Sequence, residues 1–273
     1  MHPLSPRPAR GRFTALSDPI AWVSFLTLVL IVVSGAFWLN IVGRTSTVSA
    51  QASLSVSQDA GGPAETDRTS TEPAVVVIGA SISAGHAVGP GQAWPDLVQQ
   101  RLAVSGAPLR VVNASIGATR LLNSYPGLPS SLSRESRDGL DVPGVRTLIL
   151  TDIINDIQNT PHEYDSGKIV EGIRSFVQAA HARGDQVTIL TLTPYGGFAT
   201  FEVAGEACRI AVNEALRTDT LADGVVDADL ALADPGQRDR IRPEYDSGDH
   251  LHPNAAGQGA LAAAVMQTLA PAG

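Results

Sequence analysis

The chain has little cysteine, few aromatic residues and a deficit of basic charge. Its 273 residues include one cysteine, Cys208, so no disulfide can form within the chain. Lys and Arg number 19 against 27 Asp and Glu, and aromatic residues make up 5%. Without an excess of basic residues, nucleic acid is not an expected partner. Hydrophobic residues still account for 44%, which is enough for a sizeable folded core.

One hydrophobic run, residues 20–42, contains no acidic or basic residue and is long enough to cross a bilayer. Arg7, Arg10 and Arg12 precede it, which predicts a cytoplasmic segment 1–19 and an extracytoplasmic remainder. A buried core helix is the alternative, but the run has no polar face. The run is interpreted as a transmembrane anchor, or as a signal segment if the chain is cleaved near Ala50 and secreted.

Residues 43–73 are rich in Ser, Thr, Ala, Gln, Gly and Pro and show no apolar periodicity, which predicts a flexible linker. A single domain is then expected over 74–273. Within it, short β-branched runs alternate with helical patterns, which is typical of a parallel sheet. The predicted class is α/β, a three-layer α/β/α sandwich with a five-stranded parallel sheet. The predicted strands are 74–78, 109–113, 145–151, 187–193 and 224–228.

Ligands of such sheets bind beyond the carboxyl ends of the strands, so the residues after each strand are candidates for chemistry. After the first strand comes Gly79-Ala80-Ser81, in which Ser81 could be a nucleophile exposed on a tight turn. Taken alone, this segment fits an ordinary strand-to-helix turn, with Ser81 capping a helix, better than it fits a nucleophile.

A second candidate segment, Asp246 to Asn254, lies just before the last helical pattern. Asp249 and His252 are three residues apart, a spacing at which a carboxylate can orient an imidazole that acts as a base. The alternatives are a helix cap or a metal site made of His250, His252 and Asp249. We do not expect a metal, because no further His or Cys cluster supplies the remaining ligands.

Two further turns could stabilise an oxyanion. Asn155 follows the strand at 145–151 and carries a carboxamide that could donate a hydrogen bond. The small-residue turn 112–119 offers backbone N–H groups for the same purpose. Found singly, both would be read as plain loops.

In their order along the chain, the four segments resemble those of the SGNH hydrolases, a branch of the GDSL esterase and lipase superfamily. The resemblance covers residues 74–270 and is strongest in YDSGDHLHPNAAG, TLTPYGG and AVNEALRT. It implies a flavodoxin-like sheet and a catalytic set of Ser81, Asp249 and His252. It also implies an oxyanion hole formed by Ser81, Ala118 and Asn155.

The sequence departs from the family pattern at three positions. Ala80 stands where the family has Asp, so a carboxylate that helps to hold the nucleophile turn is missing. Ala118 stands at a glycine position, where a backbone N–H is still available. Ile153 replaces a glycine and could not readily adopt a positive φ, which would change the direction in which the Asn155 carboxamide points.

The resulting prediction is a serine esterase that cleaves acyl esters of a lipid, a carbohydrate or a small molecule without a metal or organic cofactor. The alternative is a catalytically degenerate relative that binds carbohydrate or lipid at the cell surface. The absence of Asp at position 80 keeps this alternative open.

Overall fold

The computed structural model describes residues 72–269. Five parallel strands form one sheet in the order β2-β1-β3-β4-β5, which is the flavodoxin-like order and confirms the predicted α/β class with a five-stranded parallel sheet. The strands are β1 (Ala74–Ile78), β2 (Arg110–Asn113), β3 (Val145–Leu150), β4 (Gln186–Leu190) and β5 (Gly224–Val226).

Four longer helices agree with the helical patterns of the sequence. They are α1 (Trp94–Ser105), α4 (Ser166–Ala182), α5 (Val203–Thr218) and α7 (Ala255–Leu269). The short helices are α2 (Ser131–Glu135), α3 (Ile154–Gln158) and α6 (Ala228–Leu232), and a five-residue π-helix spans Ser136–Leu140.

The sheet has a hydrophobic core on each face because successive side chains of a strand point to opposite sides. On β1, Val75 and Val77 pack with residues of α1 and α7, including Trp94 and Leu261. The intervening Val76 and Ile78 belong to the other core, which is filled by α4 and α5. Cys208 of α5 is buried in this second core, and burial raises the pKa of its thiol to about 11.

The interval 120–143 contains several Gly, Pro and Ser residues, a composition typical of a loop. It contains α2 and the π-helix instead, and Arg134 within it is fully buried. A short antiparallel hairpin, β6 (Ala233–Asp234) with β7 (Gln237–Ile241), was likewise not predicted. Elements this short depend on tertiary contacts rather than on their own periodicity, so the sequence pattern gives little sign of them.

The predicted membrane segment, residues 20–42, lies outside the described residues, as do the segment 1–19 and nearly all of the linker 43–73. Among residues 72–269, none of the helices has both the length and the apolar character needed to span a bilayer.

The strand order creates a crevice where β1 and β3 lie side by side. From β1 the chain passes to β2 on one side of the sheet, whereas β3, β4 and β5 follow on the other side. The carboxyl ends of β1 and β3 therefore flank the switch point at which ligands of such sheets bind. Ser81 follows β1 by three residues, and Asn155 follows β3 by five.

Candidate active site

A continuous hydrogen-bonded chain joins Ser81, His252 and Asp249. His252 Nε2 lies 2.9 Å from Ser81 Oγ, and His252 Nδ1 lies 2.6 Å from Asp249 Oδ2. Ser81 and His252 are separated by 171 residues, yet the sheet brings them together at the edge where β1 ends. Such an arrangement lets an imidazole take the serine proton while the carboxylate fixes its tautomer.

Asp249 is set up to remain ionised. Burial alone would raise its pKa, but hydrogen bonds from the backbone and imidazole of His252 and from the backbone of Leu251 outweigh that effect and lower the pKa to about 2. Asp249 Oδ1 accepts the N–H groups of His252 and Leu251 at 2.8 and 2.9 Å. One oxygen of the carboxylate is therefore held by the backbone of its own turn, which leaves the other oxygen to contact the imidazole.

The turn that carries Ser81 is braced from several elements. Gln258 of α7 accepts the N–H of Trp94 at 2.8 Å and donates to Ile82 O at 2.9 Å, which ties the turn to α1 and α7. Asn113 at the end of β2 donates to Ser83 O at 2.7 Å. Residues 81–87 form hydrogen-bonded turns, and no helix begins after Ser81 that it could cap. Ser81 is thus not a helix cap.

Gly79 is required by the close approach of neighbouring elements. A Cβ at this position would lie 2.6 Å from Thr151 Cγ2 of the segment after β3 and 3.0 Å from the hydroxyls of Ser83 and Ser115. Its carbonyl accepts a hydrogen bond from the buried Arg134 guanidinium at 2.8 Å. The chain can therefore reach Ser81 only without a side chain at position 79.

The segments predicted to form the oxyanion hole converge on the same crevice. Asn155 is 2% exposed, and its Nδ2 donates to Thr119 O at 2.9 Å, next to Ala118. Gln158 Nε2 donates to Asn155 Oδ1 at 2.7 Å and so fixes which way round the carboxamide lies. The loop after β2 meets the turn that carries Ser81 where Ile116 N donates to Gly79 O at 3.2 Å.

The backbone N–H groups of Ser81 and Ala118 have no hydrogen-bond partner within residues 72–269. Both remain available as donors to a substrate oxygen, as an oxyanion hole requires. Ala118 takes up the glycine-like conformation, with φ of 62°. Its methyl group therefore does not prevent the backbone from adopting the left-handed conformation.

Ile153 does not adopt the positive φ expected at this glycine position, because the preceding residue adopts it instead. Ile153 has φ of −62°, a right-handed helical value, and its side chain is buried at 1% exposure in the core beside α4 and α5. The positive φ falls on Asp152 instead, at 58°. Asp is among the residues that tolerate this conformation best, so Ile153 imposes no strain on the segment leading to Asn155.

The segment before α7 contains both a helix cap and the histidine that contacts Ser81, and different residues provide them. Asn254 caps the helix, because its Oδ1 accepts the N–H groups of Ala256 and Gly257 at 2.9 and 3.1 Å. His250 pairs with Asp246 at 2.6 Å rather than with Ser81. His252 is therefore left to contact both Ser81 and Asp249.

His86 is a site residue that the sequence analysis missed. Its ring lies against the ring of His252, with centroids 4.2 Å apart, and its side chain is exposed at the mouth of the crevice. Potential ligand atoms of His86, Asp249 and His252 all lie within 4.8 Å of one another. The metal site considered from the sequence paired His250 with His252, but the structure places His86 there. Both ring nitrogens of His252 already contact Ser81 or Asp249.

Comparison with known families matches residues 77–260 to the GDSL-like Lipase/Acylhydrolase family, a range that includes every residue of the candidate site. The chain belongs to this family. The GDSL-like assignment made from the sequence is thus confirmed, and membership supports ester hydrolysis as the general class of chemistry.

Individual relatives agree with this placement. Esterase TesA of Pseudomonas aeruginosa is 41% identical over 61 residues, which cover 22% of this chain and 30% of that esterase. The matched segment thus spans less than a third of the curated relative.

Solved structures of GDSL-type and other esterases share the fold. The crystal structure of TesA superposes with a TM-score of 0.54 at 24% identity, covering 72% of this chain and 98% of that one. An acetyl xylan esterase, AlAXEase, gives a TM-score of 0.56 at 19% identity, covering 72% and 100%. A mutant of an acetyl-xylooligosaccharide esterase from Geobacillus Stearmophilus gives 0.54 at 18% identity, covering 74% and 95%.

Proposed function

We propose that this GDSL-like protein is a serine esterase that hydrolyses carboxylic esters through an acyl-serine intermediate. The observation that carries the proposal is the contact of His252 Nε2 with Ser81 Oγ at 2.9 Å, backed by Asp249 at 2.6 Å. A serine hydroxyl needs such a base to become an effective nucleophile.

The reaction takes two steps. Ser81 Oγ attacks the ester carbonyl carbon while His252 Nε2 takes its proton, and the tetrahedral intermediate collapses as the carbon–oxygen bond to the alcohol breaks. His252 returns the proton to the departing alkoxide. Water then attacks the acyl-serine with His252 again as base, which releases the carboxylic acid and regenerates Ser81.

The developing oxyanion is stabilised by the N–H groups of Ser81 and Ala118 and by the carboxamide of Asn155. Thr119 O engages Asn155 Nδ2, but that nitrogen carries two hydrogens, so one remains for the substrate. Loss of one such donor typically lowers kcat by about 100- to 1,000-fold.

For the substrate, we propose short acyl esters, with acetylated carbohydrate as the first class to test. Two of the proteins with the same fold are esterases of acetylated xylan or xylo-oligosaccharides. Ser81 is half-buried and His86 is exposed, so the nucleophile is reached from an open rim. An open rim accommodates an ester of a bulky alcohol better than an enclosed tunnel would.

The proposal is tested by assaying the full-length chain and its Ser81→Ala variant on p-nitrophenyl acetate, p-nitrophenyl butyrate and acetylated xylo-oligosaccharides. Wild-type protein should hydrolyse at least one of these esters, and Ser81→Ala should lose activity by several orders of magnitude. Equal rates for the two proteins would show that the esterase proposal is wrong and would favour the non-catalytic binding alternative.

Covalent labelling identifies the nucleophile independently of the substrate. A fluorophosphonate should modify wild-type protein, and peptide mass analysis should place the adduct on Ser81. Labelling at any other serine would contradict the assignment.

The proposal for the N-terminal part rests on the sequence alone. We propose that residues 20–42 anchor the chain in the membrane and hold the esterase domain outside the cytoplasm. Fractionation of cells that produce the full-length chain should find it in the membrane, and replacement of residues 1–43 by a cleavable signal peptide should release it.

A further inference from the structure

A carboxylate from the opposite side of the crevice enters the turn that carries Ser81. Asp152 lies two residues beyond the end of β3, and its Oδ2 accepts the backbone N–H of Ala80 at 2.6 Å and of Ser83 at 3.0 Å. Its Oδ1 accepts the Ser83 hydroxyl at 3.2 Å and the Thr151 hydroxyl at 3.0 Å. The amides on both sides of Ser81 are therefore bound to one oxygen atom.

The Ser83 hydroxyl extends this contact into the core. Ser83 is fully buried, and its Oγ accepts a hydrogen bond from Trp94 Nε1 at 2.9 Å while it donates to Asp152. Trp94 is itself fully buried and is the first residue of α1. Asp152 thus links the end of β3, the nucleophile turn and α1 in one hydrogen-bonded network.

The backbone at Asp152 is adapted to this position. Its φ of 58° is uncommon for a residue with a side chain and is tolerated mainly by Gly, Asn and Asp. Burial raises the pKa of the Asp152 carboxyl, and the hydrogen bonds from Ser83, Ala80 and Thr151 oppose that effect. A carboxylate kept here against both backbone and desolvation costs indicates a role in the site rather than in general stability.

We propose that Asp152 is the positioning residue of the nucleophile, supplying from the segment after β3 the carboxylate that position 80 lacks. This inference rests on the proposed esterase function. Asp152 does not contact the reacting atoms but fixes the turn on which Ser81 is held within reach of His252. Misplacement of a reacting group by about 1 Å can reduce a rate by about 100-fold, so a loosened turn should affect the chemical step more than substrate binding.

Two substitutions separate the carboxylate from the backbone conformation. Asp152→Gly removes every side-chain acceptor and adopts φ of 58° without strain, so a loss of activity cannot be ascribed to backbone strain. Asp152→Asn keeps one acceptor oxygen and also tolerates a positive φ. Asp185→Asn is the matched control, because Asp185 is a buried residue with the same side chain but precedes β4, at the amino ends of the strands and away from the site.

In the full-length chain we expect kcat to fall by about 100-fold in Asp152→Gly and by about 10-fold in Asp152→Asn, with KM changed by less than about threefold. The rate of fluorophosphonate labelling at Ser81 should fall in the same order. Asp185→Asn should keep the wild-type kcat and labelling rate. Wild-type kcat and labelling in a folded Asp152→Asn protein, checked by circular dichroism below its unfolding midpoint, would overturn the proposal.

Amide hydrogen exchange gives a second readout that does not require turnover. The amides of Ala80 and Ser83 should exchange faster in both Asp152 variants than in wild-type protein, and Asp185→Asn should leave them unchanged. Unaltered protection of both amides would also overturn the proposal. If wild-type protein shows no hydrolysis that depends on Ser81, the esterase function fails, whereas the exchange result still decides whether Asp152 fixes the turn.

Discussion

The two halves of the candidate active site are built in different ways. The turn around Ser81 is held by side chains from α1, α7, β2 and the segment after β3, which come from all along the domain. The turn that carries His252 is held mainly by its own neighbours, since Asp249 contacts residues two and three positions away. A local turn can be recognised from its spacing, whereas a turn braced from a distance cannot.

Breaking the local half should have the largest effect. Asp249→Asn removes the carboxylate that orients His252, and we expect kcat to fall by roughly 1,000- to 10,000-fold in ester hydrolysis. The structure offers a matched control, because Asp246 contacts His250 Nδ1 at the same distance of 2.6 Å. Asp246→Asn should cost less than about tenfold, and an equal loss in the two variants would contradict the assignment of His252.

The remote half can be broken without touching Ser81. Gln258→Met has a similar shape but loses the hydrogen bonds to Trp94 and Ile82, and we expect it to lower the free energy of unfolding by about 1–3 kcal/mol. Asn254→Ala breaks the local helix cap instead and should cost about 1 kcal/mol. Chemical denaturation measures both values. The labelling rate of Ser81 should fall further in Gln258→Met, and the reverse order would contradict the contrast between the two turns.

Glu135, the last residue of α2, should make the stability of the domain depend on pH. Burial raises the pKa of Glu135 to about 8, and its Oε1 has no hydrogen-bond partner within residues 72–269. Since the folded-state pKa lies above the ordinary value of 4.5, the native state retains a proton that the unfolded chain releases. The free energy of unfolding should therefore fall as pH rises from about 4.5 to about 8.

Glu135→Gln tests this expectation, because it keeps the neutral shape at every pH. We expect it to raise the free energy of unfolding at pH 8 by several kcal/mol, since each unit of pKa shift corresponds to about 1.4 kcal/mol, and to leave that at pH 4 nearly unchanged. Denaturation curves at the two pH values measure the difference. An equal change at both would show that ionisation of Glu135 is not the cause.

The smallest effect is expected in the loop after β2, at Ala118. Ala118 has φ of 62°, a conformation that costs an alanine roughly 1 kcal/mol and a glycine nothing. Ala118→Gly should therefore change the free energy of unfolding by less than about 1 kcal/mol and keep kcat within about threefold of wild type. Thermal unfolding and ester hydrolysis check the two values, and a large loss of kcat would show that the methyl group contacts the substrate.

The sequence predicted the sheet and the meeting of Ser81 with His252 because both depend on regular patterns. β-Branched runs identified the strands, and the order of the segments placed the serine and the histidine at one edge. The brace from Asp152 was not predictable, since nothing in its local sequence indicates a positive φ or a contact with residues 69 and 72 positions away. His86 was missed for the same reason, because only the folded turn brings it against His252.

The contact between Asp152 and the amide of Ala80 has a consequence for how this chain can change over evolutionary time. The turn requires an acceptor for two backbone N–H groups, and in this chain position 152 supplies it while position 80 carries no acceptor side chain. A substitution at position 152 would therefore be tolerated or not according to the residue at position 80. Substitutions at positions 80 and 152 should therefore be coupled in evolution, although the two positions are far apart in the sequence.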